Sequence, residues 1–227
     1  MQVEILYQGA FALAKLALEQ GESAKAESGA MVAMSPTVDV ESRLDGGVFG
    51  ALKRKFLTGE TFFFQTLRAT RGPGEVLIAP TVPGEILSLE LDGAHAYCLQ
   101  KDGFLASSVG VDVQTKTQSL AKGFFSGEGF FVLQATGTGS LLVNSFGSIH
   151  RLLLGPAQEY IVDNSHLVAW SSSTEYEIRK ASSGWFSSVA SGEGLVCHFQ
   201  GPGEVFIQTR NPGAFGSWIR QFIPTSG

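Results

Sequence analysis

The sequence predicts an all-β protein built from three tandem copies of one unit, and three observations lead to this prediction. A block of 24 residues recurs without a gap at 20–43, 93–116 and 156–179. Apolar and polar residues alternate in segments such as 87–91 (LSLEL), a pattern typical of strands with one buried face. The chain contains 28 glycines and 17 phenylalanines among 227 residues, which suits many short strands joined by tight turns.

A second pattern follows each block: a Gly-x-Gly turn and then an apolar strand. These strands are EVLI, SLLV and EVFI, at 75–78, 140–143 and 204–207. A unit of roughly 65 to 70 residues is small for an independent core, so we expect the copies to pack on one another about a pseudo-threefold axis. The prediction is a single compact domain over 1–227, with repeats at about 10–83, 84–146 and 147–211 and a C-terminal helical tail at 212–227.

The N-terminal segment resembles an additional strand. Residues 4–6 (EIL) match the apolar strand of the unit but have no copy of the unit before them. We predict that this strand pairs with the third repeat, closes the ring and protects an edge that would otherwise be open.

Two segments depart from the β pattern and predict short helices. Near 47–57, apolar residues recur at almost helical spacing. At 214–223, Trp218 and Phe222 belong to an apolar stripe of helical period that follows an Asn-Pro-Gly turn. We favour the interpretation that both helices cover open ends of the β assembly. The alternative is an interface in which Trp218 and Phe222 contact a membrane or a partner.

Charge and cysteine content restrict the classes of partner. A net charge of -5 gives no general attraction to phosphate backbones, so nucleic-acid binding would need a local basic face. Cys98 and Cys197 stand in apolar contexts, as buried reduced thiols do. The chain has no signal segment and no apolar run of the roughly 18 residues that a spanning helix requires. We therefore expect a cytoplasmic protein.

The sequence contains little that indicates catalysis. It lacks Gly-x-Ser-x-Gly, HExxH and Cys-x-x-Cys motifs, and the Gly-x-Gly turns lead into strands rather than into helices that bind phosphate. Its histidines are His95, His150, His166 and His198, which we expect to be solvated or hydrogen-bonded rather than metal ligands. We predict no catalytic, metal-binding or cofactor-binding residues. An enzyme ranks last and would need a cleft that gathers Asp163, His166 and serines.

Two sets of basic residues are candidate contacts for an anion or a partner: Arg43, Lys116 and Arg179, and Lys53, Arg54 and Lys55. The first set coincides at the end of the three aligned blocks, so a pseudo-threefold arrangement would relate its members. We favour solvent exposure for these side chains, because single charges at strand ends are common. The second set is the densest basic cluster of the chain. It would add only about 1 kcal/mol per charge at an anionic surface, which is an accessory contact.

Several motifs together resemble one known family. They include ESGAMVAMSP (27–36), GG (46–47), LKR (52–54), GETFF (59–63) and VDNSHLVAW (162–170). The chain is similar over almost its whole length to the bacterial and archaeal family related to the mitochondrial protein named for altered inheritance of mitochondria. The resemblance implies a fold like that of the trp RNA-binding attenuation protein, with three tandem β-sandwich repeats, and it implies no catalytic residues. The role of the mitochondrial relative in membrane organisation applies here only as an analogy.

The function that we expect from the sequence is that of a non-enzymatic β scaffold without a cofactor. It would form a homo-oligomer or bind a protein partner, and a peripheral membrane contact is a further option. The alternative is a binding module for a small molecule or RNA at crevices between repeats.

Overall fold

The computed structural model describes residues 1–41, 64–118, 130–180 and 195–224, and it is mostly β, which confirms the predicted class. The first nine strands are β1 Gln2–Leu6, β2 Leu13–Leu18, β3 Ser23–Glu27, β4 Met31–Met34, β5 Val38–Glu41, β6 Phe64–Ala69, β7 Gly74–Ile78, β8 Ile86–Asp92 and β9 Tyr97–Gln100. The next nine are β10 Phe104–Ser108, β11 Val111–Gln118, β12 Phe130–Asn144, β13 Ile149–Leu154, β14 Glu159–Asp163, β15 Leu167–Ser171, β16 Glu175–Lys180, β17 Leu195–Gln200 and β18 Gly203–Gln208. Helix α1 spans Pro212–Arg220.

The same antiparallel strand pairs recur at aligned positions of the sequence. The pairs β4–β7, β10–β12 and β15–β18 each contain a register shift, and the three shifts fall at the same aligned position. Strand β12 is unusually long because it corresponds to two separate strands at the aligned positions, β6 and β7 or β17 and β18. Its first part pairs with β9 and β11, and its second part pairs with β8 and β10.

A single residue type explains why only β12 continues through its Gly-x-Gly turn. The turn at 137–139 contains Thr138, which pairs with Asp92 of β8. The other two turns contain Pro73 and Pro202. Proline lacks the backbone N–H that a central strand needs, so the chain breaks into separate strands at these positions.

Successive segments also pair with one another. Strand β10 pairs with β3, and β15 pairs with β9 in the aligned register. The corresponding third pair would join β4 to β14. Among the described strands, β4 pairs with β7 and β14 pairs with β17, but β4 and β14 do not pair with each other.

The buried apolar side chains of the described residues form three clusters, and each cluster contains residues from both sides of such a junction. Leu105 and Leu142 join the first cluster, Val168 and Phe206 join the second, and Cys98 joins the third, although each belongs to a neighbouring unit of the sequence. Burying each large apolar side chain contributes about 1.5 to 3 kcal/mol to folding. The units therefore stabilise one another.

The predicted partner of the N-terminal strand was wrong. Strand β1 pairs with β2 in the first unit, and Val3 and Ile5 pack against the first core cluster. A hairpin with the next strand along the chain closes only a short loop, so it loses less conformational entropy than a pairing with the third unit would.

The C-terminal helix is present but begins and ends earlier than predicted. It starts at Pro212 because the Asn211 side chain accepts a hydrogen bond of 2.9 Å from the Ala214 N–H, as an N-cap residue does, and proline is favoured at the first helical position. It ends at Arg220, before the predicted end at 223. The other predicted helix, near 47–57, lies outside the described residues.

Candidate functional site

Among the described strands, none covers the outer edge of β4, whereas the corresponding edges of its aligned strands are covered. Val32, at the register shift of β4, is 58% exposed, whereas the aligned Leu105 and Val168 are 0% and 1% exposed. Leu105 lies in β10, which pairs with β3, and Val168 lies in β15, which pairs with β9. The difference therefore follows from the strand that covers each edge, because the residue types are similar.

The outer edge of β14 is open in the complementary way. Ile161 is 53% exposed, whereas the aligned Cys98 of β9 is 7% exposed. Cys98 lies opposite Trp170 of β15, and β14 has no such neighbour among the described strands. An open strand edge presents unpaired N–H and C=O groups that another strand can complete.

Helix α1 presents a ladder of aromatic rings to solvent. The ring of Phe215 lies 5.1 Å from that of Phe146 in the β assembly. Trp218 lies 6.1 Å from Phe215, and Phe222 lies 5.0 Å from Trp218. Trp218 is 56% exposed and Phe222 is 67% exposed. The structure thus anchors the helix through its first ring and places the two predicted interface residues at the surface.

Two of the basic candidates lie at equivalent places in the sheets. Lys116 of β11 is opposite Val132 of β12, and Arg179 of β16 is opposite Val196 of β17. The Arg179 guanidinium lies 2.6 Å from the Glu177 carboxylate, and this hydrogen bond lowers the pKa of Glu177. One of the aligned charges therefore has a partner on its own strand. The remaining candidates, Arg43, Lys53, Arg54 and Lys55, lie outside the described residues.

Three of the four histidines that the sequence singled out have partners within the fold, and one of these is His198, whose Nε2 lies 3.1 Å from Glu159. His166 Nδ1 lies 2.7 Å from the Gln208 carbonyl oxygen, and His95 Nδ1 lies 2.9 Å from Asp92. Asp163 accepts hydrogen bonds from the N–H and hydroxyl groups of Ser165. Within the described part of the chain, no three His, Cys, Asp or Glu residues form a group that could hold a metal ion.

A central cleft of about 540 Å³ gathers polar side chains from all three units. Sequence reasoning expected crevices between repeats but did not name these residues. The principal polar residues that line the cleft are Glu27, Gln100, Asp102, Asn144, Asn164 and Gln208. One feature of the sequence could have indicated the cleft. The polar Asn144 directly follows the apolar strand SLLV, whereas the first unit has Ala79 at this position.

The polar groups of this cleft are unequally satisfied. The Gln208 side chain accepts a hydrogen bond from the Phe146 N–H at 2.8 Å and donates to the Ser165 carbonyl oxygen at 2.9 Å. Asn144 is 5% exposed, and its Nδ2 has no hydrogen-bond partner in the described part of the chain. Burial and then the neighbouring charge of Asp102 raise the pKa of Glu27.

A second cleft of about 430 Å³ is internally satisfied. Tyr97 donates a hydrogen bond to one oxygen of Glu204, and Arg151 Nε donates to the other at 2.7 Å. Burial and this hydrogen bond raise the pKa of Tyr97. Because both carboxylate oxygens are occupied, we assign this network to the fold.

The described residues contain no helix long and apolar enough to cross a membrane. The family model described as "Mitochondrial biogenesis AIM24" matches residues 3–210. An uncharacterized protein of Streptococcus pyogenes serotype M6 is 35% identical over 223 residues, which is 95% of this chain and 88% of the relative. The X-ray crystal structure of a Streptococcus pyogenes protein superposes with a TM-score of 0.82 at 32% identity, over 98% of this chain and 99% of that one. These matches show that the chain belongs to the AIM24 family.

Proposed function

We propose that this protein is a non-enzymatic β scaffold that self-associates by pairing β4 of one copy with β14 of the next. The observation that carries the proposal is the exposure of Val32 beside the burial of the aligned Leu105 and Val168. Two junctions of this kind are made inside the chain, and no described strand pairs with either of the two edges that would make a third.

The proposal includes a pseudo-threefold arrangement of attenuation-protein-like repeats in which the third junction is not made within one copy. The recurring strand pairs and the shared position of the register shifts support it. The contributions of all three units to the central cleft support it further.

The register of the proposed β4–β14 junction can be taken from the two internal junctions. In them, Ala106 is opposite Ala26 and Ala169 is opposite Leu99. The aligned register places Ala33 opposite the partner copy's Val162, with Met34 opposite Ile161. This pairing covers Val32 and Ile161 and completes the backbone hydrogen bonds of both edges.

The two edges differ, so association is head to tail. A junction of a few residue pairs is small beside the roughly 800 Å² per partner of a standard stable interface. We therefore expect association that is reversible and depends on concentration.

A non-enzymatic role and a cytoplasmic location are part of the proposal. Both cysteines are free and buried, which suits a reducing compartment. Burial raises the pKa of Cys98 to about 11 and that of Cys197 to about 12, so neither thiol is suited to act as a nucleophile.

Edge charges test the proposal by sedimentation velocity over a range of concentrations. Lysine is unsuitable for this test, because the aligned Lys25 lies in an internal junction and donates a hydrogen bond to the Val111 carbonyl oxygen. A glutamate in place of Val32 or Ile161 would be buried without a partner in the junction, so V32E and I161E should each remain monomeric while the wild type associates. The control is V109E, which replaces a valine that is 60% exposed in the turn between β10 and β11. This variant should associate like the wild type.

Mixing the two edge variants makes the test specific. V32E keeps its β14 edge and I161E keeps its β4 edge, so the mixture should form a heterodimer that cannot extend. A wild type that stays monomeric at every concentration, or edge variants that associate as the wild type does, would disprove the proposed scaffold.

A further inference from the structure

The buried amide of Asn144 points to a ligand in the central cleft. Its Nδ2 can donate two hydrogen bonds, yet it has no partner among the residues that the structure describes. Leaving a buried donor unsatisfied is costly, and native proteins rarely do so. The aligned Gln208 shows the contrast, because its amide both accepts and donates hydrogen bonds. Asn144 therefore calls for an oxygen acceptor from outside the chain.

Two carboxylates that line the same cleft require a positively charged donor rather than an acceptor. Glu27 and Asp102 are close enough for the charge of Asp102 to act on Glu27. Among the residues that the structure describes, neither side chain forms an ion pair or a hydrogen bond. Two neighbouring carboxylates without a cation favour a ligand that brings positive charge and N–H donors.

The walls of the cleft complete the description of the ligand. Phe146, Leu167 and Val168 line it with apolar surface, which suits a short hydrocarbon body. Gly213, near the N-terminus of α1, also lines the cleft, and the positive end of a helix dipole favours an acceptor oxygen nearby.

We propose that the central cleft binds a small cationic molecule that carries an ammonium group and a separate oxygen acceptor. The ammonium group lies against Glu27 and Asp102, and the oxygen accepts a hydrogen bond from Asn144 Nδ2. This site lies within one copy, so it does not depend on self-association.

Nuclear magnetic resonance titration of the full chain tests the site through the Asn144 side-chain amide signal. The probes are ethanolamine, glucosamine and L-lysine, which each combine an ammonium group with an oxygen acceptor. Cadaverine keeps the ammonium groups of L-lysine without its carboxylate, and hexanoate keeps only a carboxylate.

At least one of the three combined probes should shift the amide signal. If L-lysine binds, it should bind about five- to tenfold more tightly than cadaverine, because it adds one hydrogen bond, and hexanoate should not bind.

Three variants separate this site from nonspecific attraction. Glu27→Gln should weaken the binding of every combined probe, whereas Glu175→Gln removes the same charge from an exposed position on β16 and should bind like the wild type. In Asn144→Leu the titration is followed through the side-chain amide signal of Gln100, which lines the same cleft. This variant should lose the advantage of L-lysine over cadaverine, provided that its thermal unfolding shows an intact fold. The inference would be overturned if no combined probe shifted the Asn144 amide signal, or if Glu27→Gln and Glu175→Gln weakened binding equally.

Discussion

Thr174 occupies the space that a side chain on Gly203 would need. A Cβ added to Gly203 would lie 1.9 Å from Thr174 Oγ1, and the backbone of Gly203 has a φ of +154°. The first unit repeats the relationship, because a Cβ on Gly74 would lie 2.5 Å from Thr37 Oγ1. The recurring glycine at this corner is thus required by the close approach of the neighbouring turn.

Replacing Gly203 by alanine should therefore destabilise the protein. The added methyl group must displace Thr174, which is buried, and overpacking of this kind typically costs about 1 to 3 kcal/mol. Denaturant unfolding should show a lower midpoint with an unchanged slope.

The matched control is a glycine with free space around it. Gly216 lies within α1, and a Cβ there would meet nothing within 4 Å. Gly216→Ala should stabilise the helix by about 0.5 to 1 kcal/mol, because alanine has the higher helix propensity. Equal destabilisation by the two substitutions would contradict the assignment of the Gly203 effect to a steric clash.

The cysteines should be inert in the folded protein. With a pKa of about 11, only about one thousandth of Cys98 is thiolate near pH 8, and Cys197, at about 12, ionises less. Ellman's reagent should therefore react with both thiols slowly in the native state and rapidly after unfolding in guanidinium chloride. A thiol that reacts within seconds in the native state would show that one of these sites is open.

The aromatic ladder of α1 should contribute unequally to stability along its length. Phe146 is buried and contacts Phe215, so Phe146→Ala should cost about 3 kcal/mol or more. Phe222 is exposed, so Phe222→Ser should change the free energy of unfolding by less than about 0.5 kcal/mol. Thermal unfolding of both variants checks this. A large loss of stability in Phe222→Ser would show that Phe222 belongs to the core rather than to a free surface.

The mostly β class and the recurrence of strands at aligned positions were predictable from the sequence because local patterns encode them. The 24-residue blocks align the strands β3, β9 and β14 in the structure as well, and the same residue types recur where the same turns form. Membership of the AIM24 family was predictable for the same reason, since its motifs are contiguous.

The open edges and the cleft were not predictable, because they depend on which strand or unit packs beside each strand. Val32 and Val168 are the same residue type at the same aligned position, yet only one is covered. Asn144, Glu27 and Asp102 are far apart in the sequence, and only the packing of the units brings them to one cleft. The partner of β1 was missed because apolar strands resemble one another, whereas the short connection to β2 decides the pairing.

Glu27 should make the stability of the protein fall as the pH rises above the ordinary range of a glutamate. Burial and the charge of Asp102 raise its pKa above the ordinary value of 4.5, so in the folded state it keeps a proton that the unfolded chain releases. Below 4.5 both states are protonated and there is no penalty. The penalty develops as the pH rises from 4.5 to the folded pKa, and it is constant above that value.

Glu27→Gln removes the ionisation and should therefore unfold at a higher temperature than the wild type at neutral pH. The difference should shrink towards zero below pH 4.5, where the wild-type carboxyl is neutral in both states. Thermal unfolding across this range measures the difference, and Glu175→Gln, at an exposed position, should show no such trend. If Glu27→Gln were less stable than the wild type at neutral pH, the carboxylate would have a stabilising partner, and the cationic ligand proposed for the cleft would have a competitor within the chain.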